Sequence, residues 1–292
     1  MPIKNSALIE INGQSVPITL TDPESVESVE LTPSPRILYA PIGQCIYCGG
    51  GDGLSDEHII PYGLSGSEVL PKSSCAACAR ETGRFEQLVL RGPMRAARIH
   101  RRLKSRTKHN GGPETHRATL IKDSGEEAID LPITEYPILL HFPIFAQPGY
   151  LTGATSPGIV MTGMNTILFG PKPDDVARKY DARAIRFPSM TLQPIAFARM
   201  VAKIAYGYAA GNGQLTLIDG QSFVLPCILG HSEDVGMWVF TEASKTINYP
   251  GVLHCVTLHL IEEMLIGKVH LFADSQTPAY GVILGKLKVD SV

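Results

Sequence analysis

Cys45-Ile46-Tyr47-Cys48, then Ser55-Asp56-Glu57-His58-Ile59-Ile60-Pro61, then Cys75-Ala76-Ala77-Cys78 is the stretch on which the reading of this chain turns. Each CxxC pair presents two sulfurs across a tight turn, and two such pairs complete the tetrahedral shell that a structural zinc ion prefers. Four sulfurs leave no open position. Zn2+ on Cys45, Cys48, Cys75 and Cys78 is therefore expected to organise the fold and to take no part in a reaction. Thiol ligands persist in a reducing compartment, and residues 1–20 lack the basic-then-apolar order of an export leader, so a cytoplasmic protein is expected. No stretch is apolar for about 18 residues, and no membrane partner is expected. Cys227 and Cys255 stand alone in apolar runs and read as buried core thiols.

Between the two knuckles, the Glu57-His58-Ile59-Ile60-Pro61 run is followed by a glycine-bearing loop through Gly63 and Gly66 and by Leu70-Pro71. This order of elements, ending in a second CxxC that opens a helix, resembles the zinc-containing, four-cysteine branch of the HNH, or ββα-metal, endonucleases. The resemblance covers about 45 residues, from Cys45 to Arg91. It implies that His58 is the general base taking a proton from the water that attacks a phosphodiester, a task suited to an imidazole. It also implies that Glu57 holds a catalytic divalent ion, Mg2+ or Mn2+. Neighbours on a strand point to opposite sides, so Glu57 and His58 can divide ion and water only if the backbone bends between them. Ala79 stands where the family places an Asn or His ligand, and Lys72 or Ser73 stands near its middle Asn. Helical spacing from Ala79 makes Glu86 the substitute ligand, with Glu81 second. Asp56 reads as a turn-capping acid.

Charge gives a separate indication. Residues 80–108 hold ten Lys or Arg against two acids, whereas residues 136–292 hold eleven of each sign. Arg91, Arg95, Arg98 and Arg102, with Arg84 before them, recur at helical spacing as a basic stripe fit to neutralise backbone phosphates. The expected partner is DNA, double-stranded, read by its backbone more than its bases.

At 292 residues, 44% hydrophobic and 18% charged, the chain has material for one large or two ordinary globular domains, and an α+β class is expected. Residues 1–40 read as a β-hairpin turning at Asn12-Gly13 and a polar linker, Thr21–Pro35, into a short strand at Arg36–Tyr39. Residues 41–110 form the HNH-like module with its basic helix, interrupted at Gly92-Pro93, and 111–135 a linker. Residues 136–292 form a strand-rich α+β domain with strands expected in 138–145, 158–169, 214–229, 235–240, 253–272 and 280–287. One helix is expected there, Ile195–Ala210 after Pro194, with Phe197, Met200, Val201, Ile204, Ala205 and Tyr208 at helical spacing. Arg199 and Lys203 fall within that stripe and read as paired surface charges at its edge. His254, His259 and His270 read as structural histidines in strands; His141 and His231 are scattered.

The expectation is a metal-dependent HNH endonuclease, analogous to antiviral defence or restriction effectors, whose C-terminal domain regulates, forms a homo-oligomer or docks a partner protein. Two alternatives stand beside it. One is a zinc-stabilised nucleic-acid-binding module without catalysis; the other is a sensor or scaffold led by the C-terminal domain.

Overall fold

A computed structural model describes residues 7–11, 14–17, 37–105, 114–155, 157–188, 191–242 and 248–288, the first two segments as backbone alone. The turn at Asn12-Gly13, the linker Thr21–Pro35, Arg36, Arg106 and Lys108 lie outside the described residues. The chain is a mixed α+β protein that divides into two units, each drawn from several separate segments.

The first unit takes residues 1–26, 90–141 and 166–192. Its sheet runs β2 (Gln14–Pro17), β1 (Ala7–Ile11), β10 (Ala184–Phe187), β6 (Thr115–Lys122), β7 (Gly125–Pro132), with β1 and β10 parallel and the other neighbours antiparallel. The strands β1 and β2 pair as the expected hairpin, Ile11 opposite Gln14. Residues 111–135, expected as a linker, instead carry β6 and β7, a hairpin in full register from Thr115↔Pro132 to Lys122↔Gly125. Charge had hidden it: one face of β7 is solvent-exposed and acidic, while Ala118, Leu120 and Leu131 are buried beneath. Two short helices, α2 (Arg95–His100) and α4 (Pro173–Lys179), belong to this unit. The second starts with Pro173 in its first turn and Asp174 and Asp175 facing the helix N-terminus, where negative charge is favoured.

The second unit takes residues 27–89, 142–165 and 193–292. Its larger sheet is antiparallel, ordered β11 (Val239–Thr241), β14 (Ala279–Lys286), β13 (Met264–Leu271), β12 (His254–Ile261). A smaller sheet is ordered β3 (Ile37–Leu38), β5 (Glu68–Ser74), β4 (Ser55–His58), and α1 (Ala76–Arg91) follows β5 directly. The strands β8 (Ile138–Phe145) and β9 (Met161–Phe169) form a two-stranded sheet, and each contributes residues to both units. Two single-turn helices, α3 (Gly149–Thr152) and α6 (Leu225–Ile228), complete it. Residues 214–229, expected as strand, form a 3-10 turn and α6; Pro226 denies a ladder N–H there.

The centre of this unit is α5 (Pro194–Gly211). It begins at Pro194, whose missing N–H costs nothing in a first turn. The apolar stripe from Phe197 to Ala205 is buried as expected, but so are Ala198, Ala202, Lys203, Tyr206 and Ala209, so the helix is enclosed on nearly all sides. Contact with the large sheet requires a glycine: a Cβ on Gly267 of β13 would come 2.6 Å from the Ala205 Cβ. Phe142, Phe145, Phe197 and Tyr280 interlock around the N-terminal half of α5, with Phe142 and Tyr280 edge to face on Phe197 and Phe145 tilted against Phe197 and Tyr280, and the Tyr280 hydroxyl donates to the Pro143 carbonyl at 2.9 Å.

Candidate metal centre

The four knuckle cysteines come together. Their Sγ atoms all lie within 4.8 Å of one another, and Cys48 and Cys75 are 3.7 Å apart, close to the roughly 3.8 Å edge of a tetrahedron with 2.3 Å metal–sulfur bonds. The first knuckle is tied by Cys45 N–H to Gly50 O (2.7 Å) and by Gly49 N–H, at φ +75°, to Cys45 O (2.8 Å). The second is the mouth of α1. The Cys78 backbone N–H, with neighbouring sulfurs, brings the Cys75 thiol down to about 7, whereas burial and then the neighbouring sulfurs push the Cys78 thiol up. The donor set and its spacing fit one zinc ion, and among the described residues this is the cluster of at least three potential ligands. Ile46 N–H bonds to Ser73 O at 2.9 Å, joining the first knuckle to the end of β5.

Downstream of the knuckle, β4 pairs with β5 through Ser55↔Ser74, Glu57↔Leu70 and His58↔Val69, with a bulge between Ser55 and Glu57. The backbone irregularity thus lies one residue ahead of the Glu57–His58 step, where a division of labour would need it. Glu57 and His58 stay in ladder register and point to opposite faces. Glu57 is buried; His58 is half-buried, its ring edge-on to Tyr62 at 5.4 Å. Asp56 caps the neighbouring strand, its Oδ1 accepting from Lys72 N–H at 3.3 Å. Gly66 has the role of a close approach: a Cβ there would lie 1.9 Å from the Ile60 carbonyl oxygen.

The two carboxylates chosen as metal ligands do converge, from β4 and from α1, but on an ammonium. Lys203 Nζ of α5 lies 2.5 Å from Glu57 Oε1 and 3.0 Å from Glu86 Oε1. It also donates to the carbonyl of His58 and, at 3.4 Å, to that of Ile59. Lys203 is 1% exposed and is core, not the edge-of-stripe surface charge expected of it. Burial alone would depress its pKa, but the charges of Glu57 and Glu86, with their hydrogen bonds, outweigh that and hold it above the ordinary lysine value. Tyr47, buried beside the pair, is kept a neutral phenol by burial first and then by the Glu57 and Glu86 charges. Glu81, second choice as ligand, is paired with Arg84 at 2.6 Å. As arranged, Glu57 and Glu86 do not fit a divalent ion: the position both oxygens face is filled by a buried Nζ.

Lys203 is one of a row on α5 that grips the four-cysteine module. Arg199, one turn earlier, sits over the Phe85 ring of α1 at 4.8 Å and donates to Ile228 O at 3.0 Å. Tyr206, three residues on, donates to Ile46 O at 2.5 Å inside the first knuckle and stacks on Tyr47 at 5.8 Å. His254 of β12 donates from Nε2 to Leu64 O (2.8 Å) and accepts Phe272 N–H (3.1 Å); His270 donates to Thr277 O. Both are structural, as their apolar strands suggest. Cys227 is buried, whereas Cys255 is only half-buried.

In the first unit the basic stripe is broken. Helix α1 ends at Arg91, α2 runs only from Arg95 to His100, and Arg102 follows it at φ +52°. Arg98 is half-buried, donating to Leu90 O (2.9 Å) and Lys104 O (3.4 Å), and its pKa is lowered by burial and then by Arg91. Arg95 pairs with Glu114 at 2.7 Å. Arg91 and Arg102 are exposed. The four arginines therefore do not share one helix face, because Gly92-Pro93 resets the helical phase between them.

No protein-family model matches the chain, and no curated protein or solved structure matches it either. Among the described residues no helix is long and apolar enough to cross a membrane.

Proposed function

We propose that this chain binds nucleic-acid backbone through a zinc-knit module of HNH type. The observation that carries this reading is the Lys203 ammonium between Glu57 and Glu86, which occupies the position where an HNH enzyme would hold a metal and leaves the module as a binding element. Zinc on the four cysteines holds β4, β5 and α1 together. The excess of cations in residues 80–108, with Arg91 and Arg102 exposed, supplies phosphate contact. Free thiols as ligands agree with a reducing, cytoplasmic setting.

A second reading is favoured by a different observation: Glu57 and Glu86 meet at one point, from a strand and a helix, in the order of elements of the HNH endonucleases. On that reading the chain hydrolyses DNA phosphodiesters, with His58 as base and Mg2+ or Mn2+ as cofactor, in a state where the acid pair has been freed from Lys203. Two measurements on zinc-loaded protein separate them. Gel-shift retention of duplex DNA without nicking of supercoiled plasmid in Mg2+ or Mn2+ supports binding; nicking that His58→Ala abolishes supports the enzyme. Neither retention nor nicking would refute both.

A further inference from the structure

Two carboxylates from separate elements meet one ammonium from a third, inside the protein. Four oxygens surround the Lys203 ammonium, Glu57 Oε1, Glu86 Oε1 and the backbone carbonyls of His58 and Ile59, so the cation lies in an all-oxygen setting. It is also fixed. Ala202 and Ile204 on either side are 0% exposed, and the flanking anchors Arg199 and Tyr206 hold α5 to the same module.

We propose that the Lys203 ammonium is the resident cation of the Glu57–Glu86 pair, a tethered replacement for a divalent ion, and that the pair accepts a divalent ion only when that ammonium is removed. The inference rests on the HNH-type reading of the module and assigns Lys203 as the residue that shuts its acid pair to metal. It accounts for the convergence of Glu57 and Glu86 without a metal, and for a lysine among apolar neighbours at the centre of an enclosed helix.

The test uses the full chain loaded with one zinc, so that the cysteines are saturated, and Mn2+ as the probe, followed by electron paramagnetic resonance of free Mn2+ and by thermal melting. Wild type binds no Mn2+ at millimolar concentration, and its melting temperature does not move. Lys203→Gly, which removes the charge and leaves room, binds one Mn2+ with affinity raised about tenfold or more, and Mn2+ raises its melting temperature by linkage. The triple variant Glu57→Gln/Glu86→Gln/Lys203→Met binds none. A folded, zinc-loaded Lys203→Gly that takes up no Mn2+ overturns the proposal, as does Mn2+ binding by wild type that Glu57→Gln/Glu86→Gln abolishes. Lys203→Ser replaces Lys203→Gly if the latter does not fold, and the wild-type measurement decides alone if neither does. DNA retention on the same samples is independent: its loss counts against the nucleic-acid reading, while a failed Mn2+ result with retention intact counts against Lys203 as the resident cation.

Discussion

Replacing Lys203 by Met keeps the volume of the side chain and removes only its charge and donors. Glu57 and Glu86 then face an apolar group in place of an ammonium, and the His58 carbonyl loses the Lys203 donor. Breaking a buried ion pair from one side costs about 3–5 kcal/mol, because the surviving charge keeps its desolvation penalty. For a unit of this size each kcal/mol moves the melting temperature by about 2–4 °C, so Lys203→Met should melt roughly 6–20 °C below wild type. Differential scanning calorimetry measures that shift. Glu57→Gln/Glu86→Gln/Lys203→Met removes every charge and should recover most of the loss. If the single variant melts within about 2 °C of wild type, or if the triple is no better than the single, the ammonium is not the partner that holds these acids.

Removing zinc with a strong chelator, or making Cys75→Ala/Cys78→Ala, should lower metal content measured by mass spectrometry from one zinc to none. The loss should cost folded β4, β5 and α1, seen as lost protection from amide exchange. His141 is buried, its Nδ1 2.8 Å from Thr166 Oγ1, and burial depresses its pKa to about 4. A neutral buried imidazole must charge on unfolding, so stability held above about pH 6.5 should fall by up to about 3 kcal/mol as pH drops toward 4, and denaturant titration of His141→Asn should show that fall reduced. Arg91→Ala/Arg102→Ala should cut the slope of log affinity against log salt for duplex DNA by about 2; an unchanged slope in fluorescence anisotropy would show that these arginines meet no phosphate. Tyr206→Phe strands the Ile46 carbonyl inside the first knuckle and should cost about 1–2 kcal/mol in urea melts, with the zinc retained.

The cysteine pairs were legible because the chemistry of a tetrahedral ion dictates residue type and spacing together. The helix 194–211 was legible because Pro194 marks its start and apolar residues repeat at its period. Lys203 was misjudged for a reason built into pattern reading: a charge in an apolar stripe is placed at the edge unless its counterions are known, and these lie more than a hundred residues upstream. A lysine at the centre of Met200–Ala205, with two acids chosen elsewhere to face a cation, was the available signal. The strands β6 and β7 were concealed by exposed acidic side chains, and the arginine periodicity ran through Gly92-Pro93 as though the helix did. Periodicity reports the phase of one element; it carries nothing about a break or about a partner supplied by a distant segment.

The hydrogen bond from Lys203 of α5 to the His58 carbonyl spans 145 residues of sequence. On a ribosome adding about 5–20 residues per second, the two knuckles and Glu57 emerge on the order of ten seconds before the lysine that neutralises them. During that interval Glu57 and Glu86 lack the Lys203 ammonium, and Phe85 has no Arg199 above it. Synthesis therefore passes through a stage in which the acids await their ammonium, and arrival of α5 completes the contact.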